Sequence, residues 1–295
     1  MGRNKPKCVM ILTEGPSDRA ALTGFFTDLY SMIDEDIEVF FPLLTEDALF
    51  QDGRNDHNYN GDITSRNGIT PDNILPMLLK LFIHPELQKH PAYEYPASVQ
   101  EVIHLVDIDG VFIRDDLVIN AEEDDARHLP YYDDKNYKII ARDRDAIIHR
   151  NKRKRKNLAK LIATKRLRIT IAKDENSARE KPYRVFFFSS NLDHVLFGKA
   201  NNERLNKVPE AKQFGNDFYD EPLKMASYFI NHPYATQEGT YQDSWNALSN
   251  ENASLRPCTN INLLIKELLA KAKITELPEN DLRSYPVFEE NNIDE

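Results

Sequence analysis

Two stretches of the chain end in the same way, and together they narrow the fold more than any other feature. Val9, Met10, Ile11 and Leu12 form an apolar run that stops at Glu14-Gly15. Val102 to Val106 form a second run that stops at Asp107-Ile108-Asp109-Gly110. Short apolar runs closed by a glycine read as buried strands. After the first, Ser17 or Asp18 offers an N-cap, and Ala20, Leu22, Phe25, Phe26 and Leu29 recur at helical spacing. A strand feeding a helix belongs in a parallel sheet, and ligands collect in the crevice outside the carboxyl ends of such strands. An acid near a helix N-terminus is also stabilising by itself, so neither motif decides anything alone.

The remainder of the chain repeats the alternation. Further strands are expected at 37–44, 167–172 and 183–190, and helices at 73–83 (interrupted by Pro76) and 145–163. This predicts an α/β fold with a mainly parallel sheet flanked by helices on both faces. Residues 46–72 are polar and nearly unpatterned, which predicts a long exposed loop, and 115–137 read as an acidic insertion. The core is therefore expected over 1–200, with a mostly helical, strand-free C-terminal extension over 201–295 that ends in a loose acidic tail. Trp245 and Phe186–Phe188 are expected in the core.

Composition excludes several function classes. Cys8 and Cys258 are the two cysteines and lack neighbouring histidines at zinc spacing, so neither a disulfide framework nor a zinc site is expected. No apolar run approaches bilayer length, and the opening residues are too poor in apolar side chains for a signal peptide. The expectation is a soluble cytoplasmic protein without a membrane partner. A net charge of −10 argues against a general nucleic-acid coat protein, yet residues 150–168 carry ten Lys/Arg and no acid. Residues 115–134 hold eight acids against Arg127 alone. Arg150, Lys152, Arg153, Lys154, Arg155, Lys156 and Lys160 are thus candidates for nucleic-acid backbone contacts. The neighbouring acidic block is placed to fold over them. A solvated helix face is the plainer use of such a run.

If the first and third strands are neighbours, Glu14, Asp107 and Asp109 meet at one edge. In extended backbone, residues two apart point the same way. Three such carboxylates repel one another unless a cation joins them, and a hard, oxygen-seeking divalent ion suits that donor set. Asp18, one turn further on, is a candidate ligand for a second ion about 4 Å away, the spacing used in two-metal phosphodiester cleavage. Ser190, Asn191, Asp193 and His194 follow a strand expected to share this edge. Asp193 is a candidate further ligand, His194 an ion or phosphate contact, and Lys199 a stabiliser of transition-state charge. Helix capping by Ser190 or Asn191 is the alternative, and their close spacing does not by itself make a Ser–His–Asp triad.

Strand–Glu14-Gly15 followed by strand–Asp107-Ile108-Asp109-Gly110 resembles the signature of the TOPRIM fold of topoisomerases, bacterial primases and several nucleases. With "IIHRNKRKRKNLAKL" and "FFFSSNLDHVLFG", residues 7–200 further resemble the TOPRIM effectors of bacterial anti-phage systems: abortive-infection, PARIS-like and OLD-related nucleases. The resemblance implies a nuclease acting on RNA or DNA, in some relatives tRNA, with one or two Mg²⁺ or Mn²⁺ ions. Glu14, Asp107 and Asp109 would be catalytic, and Glu14 would accept a proton from the attacking water. It also implies a partner ATPase sensor and is compatible with a homodimer. A non-catalytic adaptor that binds an ATPase or nucleic acid is the reading from a different class.

Overall fold

The computed structural model describes residues 6–42, 62–90, 97–171, 174–236, 239–249 and 253–279. The expected 46–72 loop is therefore described from residue 62 onward, and the tail beyond 279 lies outside the described residues.

Strand β1 (Lys7–Leu12) leads into helix α1 (Pro16–Ser31) and then β2 (Ile37–Phe40). Helix α2 (Ile74–Leu78) continues through a π turn (Leu79–Ile83) into α3 (His84–Lys89), followed by β3 (Val99–Asp107). The insertion contributes β4 (Val118–Asn120), β5 (Tyr131–Asp133) and β6 (Lys138–Ala141). Helix α4 (Arg144–Ala163) precedes β7 (Arg166–Ile171) and β8 (Asp174–Ser189). The chain then runs through α5 (Leu192–Phe197), α6 (Arg204–Asp217), α7 (Pro222–Ile230), α8 (Tyr241–Leu248), β9 (Cys258–Thr259) and α9 (Ile261–Lys271).

The main sheet has the order β2-β1-β3-β8-β7, with β9 also pairing β8. Strands β2, β1, β3 and β8 are parallel, whereas β7 and β9 run antiparallel to β8. This is an α/β fold with a mixed, mostly parallel sheet. The register sets Leu12 beside His104 and Asp107 beside Phe188, so β1, β3 and β8 end along one edge.

Both faces of the sheet are covered, which is why its strands read as unbroken apolar runs. Val9, Ile11, Ile103, Leu105, Phe186 and Phe188 pack on one side against α1, α6, α7 and α9. Met10, Leu12, Val102, Val106, Val185 and Phe187 point to the other, with Trp245 among their neighbours. Helices α6, α7 and α9 thus complete one face of the same core, and α8 packs on the other through Trp245 and Leu248. The extension also holds a strand where none was expected. At two residues, β9 is too short to show a period, and pairing with Phe188 and Ser189 creates it.

Asp109 and Gly110 have φ of 51° and 65°, so the strand stops at Asp107 and the chain turns sharply. A Cβ on Gly110 would lie 2.7 Å from Leu255 Cδ2 and 2.9 Å from Ile139 Cδ1, in the left-handed region that favours glycine. Gly110→Ala should therefore destabilise the fold by about 2 kcal/mol, read by chemical denaturation.

Candidate metal centre

Glu14 stands two residues beyond β1 and is buried together with Thr13. Gly15, rather than Ser17 or Asp18, is the N-cap of α1. The expected cap at Ser17 or Asp18 is corrected accordingly: Pro16 opens the helix, and Asp18, at the third position, accepts the Gly15 N–H at 2.9 Å. Asp107 accepts the Leu192 N–H at 3.1 Å.

The left-handed turn separates Asp107 from Asp109, so the two do not point the same way along an extended strand, as the sequence led us to expect. Asp109 instead swings toward Glu14 and toward Asp62, a residue of the supposedly exposed loop. Ligand oxygens of Glu14, Asp62 and Asp109 all lie within 4.8 Å of one another. Asp62 is buried, and its Oδ1 accepts the N–H groups of Thr64 at 2.7 Å and Ser65 at 3.3 Å.

Lys154 lies among these acids. Its fully buried ammonium is 2.8 Å from Asp109 Oδ2, 3.0 Å from Asp62 Oδ2 and 3.6 Å from Glu14 Oε1. The expected role of Lys154 as a backbone-gripping cation is corrected: its ammonium is fully buried and committed to these three acids. Neighbouring side chains on α4 fasten the loop and turn. Asn157 donates to the carbonyls of Thr64 and Ile69, Arg153 to that of Ser65, and Arg150 to that of Asp109. Lys152 and Arg155 pair with Asp115 at 2.8 and 3.6 Å, so the acidic insertion does lie against the basic helix. Of the basic run, Lys156 and Lys160 keep open, solvent-facing positions.

A second lysine serves the other end of the edge. Lys207 of α6 is 3.1 Å from Asp193 Oδ2, and its charge also favours ionisation of Asp107. Asn191 caps α5 by accepting the His194 N–H at 2.9 Å, while Ser190 O accepts the N–H groups of Ile108 and Asp109. His194 is buried, which lowers its pKa, although Asp134 opposes the shift. Lys199 turns away to Glu210 at 2.8 Å, and that ion pair occupies the group expected to stabilise transition-state charge.

The electrostatics run along this row. Burial, then Asp62, pushes the Glu14 carboxyl well above its usual range, and Lys154 only partly offsets this. Burial, then Asp18 and Asp109, does the same to Asp107. Asp18 is raised to about 6 by burial and by Asp193, against the pull of the Gly15 N–H. At Asp62 burial also opposes ionisation, but Lys154, Ser65 and Thr64 outweigh it and hold the carboxyl at about 2.

The donor set fits a hard divalent cation: Glu14, Asp62 and Asp109 offer only carboxylate oxygens. Glu14 Oε1 is buried without a hydrogen bond. The cluster can thus hold a metal ion, and Lys154 would share the acids with it. Asp62 was missed because its segment lacks any period. Lys154 had a signal, since it lies on the same helical stripe as Ile148, Asn151, Leu158 and Leu161, all buried.

Comparison of the chain with protein-family models, curated proteins and solved structures returned no match. Among the described residues, no helix is long and apolar enough to cross a membrane.

Two outcomes follow for the metal-free protein. Lys154→Met leaves buried carboxylates without their counter-charge and should cost about 3–5 kcal/mol of stability in denaturant titrations. Asp18 binds its proton more tightly in the fold, so its contribution is fully present below pH 3.8 and is lost as pH rises through about 6. Across that window wild type should lose on the order of 2–3 kcal/mol relative to Asp18→Asn in chelator. A pH-independent difference between the two would show that Asp18 is not perturbed.

Proposed function

We propose that the chain is a TOPRIM-like, divalent-metal-dependent nuclease that hydrolyses phosphodiester bonds in RNA or DNA. The observation that carries this reading is a charge imbalance at the carboxyl ends of parallel strands. Glu14, Asp18, Asp62, Asp107, Asp109 and Asp193 line one edge and face the two ammonium groups of Lys154 and Lys207. A fold that carries such a surplus of acids gains most from a divalent ion.

Mg²⁺ or Mn²⁺ held by Glu14, Asp62 and Asp109, with Asp107 and Asp18 beside them, would polarise the phosphodiester and lower the pKa of water. Glu14, ionised beside the ion, would accept a proton from the attacking water. Lys154 restrains the acids before substrate arrives, and Arg150 fixes the Asp109 turn through its carbonyl. Lys156 and Lys160, with Lys152 once it leaves Asp115, are the groups left to track the substrate backbone. The resemblance extends the proposal to a toxic anti-phage effector working in the cytoplasm with an ATPase sensor.

Lys154 favours a second reading. An ammonium already joining three carboxylates does part of what a metal would do, as expected of a non-catalytic adaptor that keeps the fold without the chemistry.

The test is incubation of purified protein with plasmid and with total RNA in Mg²⁺, and again in EDTA. Cleavage should need the ion, and Glu14→Gln, Asp107→Asn and Asp109→Asn should each lower it at least about 100-fold with little change in fold. Full activity of Asp109→Asn would sink the metal reading. In a bacterial host, unrestrained expression should arrest growth and Glu14→Gln should be tolerated; equal toxicity would favour the adaptor.

A further inference from the structure

The acidic insertion touches the site at a point that the carboxylate row does not explain. Between β5 and β6, Asp134 projects onto the buried ring of His194, with Oδ2 3.4 Å from Nε2. The other ring nitrogen is committed. Nδ1 accepts the Ser190 N–H at 3.2 Å, which leaves the proton of the neutral ring on Nε2, aimed at Asp134. Ser190 Oγ also lies 3.4 Å from Nδ1, so serine, histidine and aspartate form a row in space. This row cannot activate a nucleophile, because Ser190 is fully buried and the nitrogen facing it already accepts an amide. What remains is a fixed N–H donor presented to an anion.

That donor sits beside the proposed chemistry. His194 follows Asp193, and the first N–H of the same short helix, that of Leu192, holds Asp107. Asp134 itself lies in the turn between β5, an edge strand, and β6, whose Ile139, Ile140 and Ala141 are buried. Tyr132 and Asn201 exchange two hydrogen bonds of 2.7 Å, and the Tyr132 hydroxyl reaches Arg150 at 3.2 Å and Asp109 at 3.4 Å. All three residues of β5 are only half-buried. The strands hold the hairpin in place, but the Asp134 side chain is 35% exposed at its tip, so its single carboxylate contact with His194 can be exchanged for a ligand that makes an equivalent one.

We propose that His194 Nε2 is a phosphate subsite of the nucleic-acid site, and that Asp134 fills it as an internal surrogate until a substrate phosphate displaces its side chain. The inference rests on the nuclease reading. A phosphodiester oxygen resembles a carboxylate oxygen as a singly charged acceptor, and the place already tolerates one such group beside the acidic row.

The test is calorimetric titration of the full chain with inorganic phosphate, without metal or nucleic acid. Asp134→Ala should bind phosphate at least about 10-fold more tightly than wild type, because the internal competitor is gone. Asp124→Ala, which removes the same charge from an exposed position of the insertion, should show less than a twofold change. Adding His194→Ala to Asp134→Ala should abolish the gain. His194→Gln, checked with it by thermal melting, provides a second variant should the alanine fail to fold, and it should cut the gain by weakening the donor. Equal phosphate affinity of wild type and Asp134→Ala overturns the proposal, as does a gain that Asp124→Ala matches or that survives loss of His194. The titration does not depend on cleavage, so failure of the nuclease reading appears in the plasmid and RNA assays instead. Where cleavage is measured, Asp134→Ala should lower KM with kcat little changed.

Discussion

The buried ammonium of Lys154 is the interaction on which the sheet edge depends. Three segments far apart in sequence bring carboxylates to it: the exit of β1, the start of the loop at Asp62, and the left-handed turn after β3. Each acid alone would resist burial, and together they would repel. One charge delivered from α4 converts a repulsive meeting into a defined geometry. The same helix supplies Arg150, Arg153 and Asn157 to fix the backbone that presents those acids. Helix α4 therefore acts as a brace for the site on its buried side while keeping lysines on its outer side.

The site remains under-neutralised by design of its parts. Lys154 and Lys207 hold opposite ends of the row, and the carboxyl groups of Glu14, Asp18 and Asp107 are raised first by burial and then by the repulsion left between the acids. The insertion then deals with the remaining exposure: Asp115 engages the outer face of α4, and Tyr132 and Asp134 close over the turn and His194. Opposite charges in neighbouring segments thus lie against one another along the acidic edge.

The parts of this arrangement legible in the sequence are those governed by local pattern. The runs ending at Glu14 and Asp107 mark buried parallel strands, because continuous apolar runs arise only where both faces are covered. The helix over 145–163 follows from its apolar stripe, and Asp143 caps it one residue before its first turn. What could not be read arises from tertiary convergence. Asp62 lies in a segment without periodicity and acquires its meaning only from Lys154. Asp109 departs from strand geometry because Ser190 O captures its N–H at 2.7 Å. The seven cations from Arg150 to Lys160 look equivalent as a charge run, yet a helix sends them in different directions, and burial separates them into brace, insertion contact and free surface. His194 was visible as a candidate, but its partner Asp134 belongs to a hairpin sixty residues away.

The central claim is that this carboxylate row takes a divalent cation in the presence of Lys154. Calorimetric titration of Mn²⁺ into the purified chain tests it most directly, with Glu14→Gln and Asp109→Asn in parallel. The account predicts saturable binding to wild type, weakened at least about 10-fold in either variant, and a melting temperature that rises with ion concentration as linkage requires. Absence of saturable binding, or equal binding by wild type and both variants, would contradict it and leave Lys154 as the cation that joins Glu14, Asp62 and Asp109.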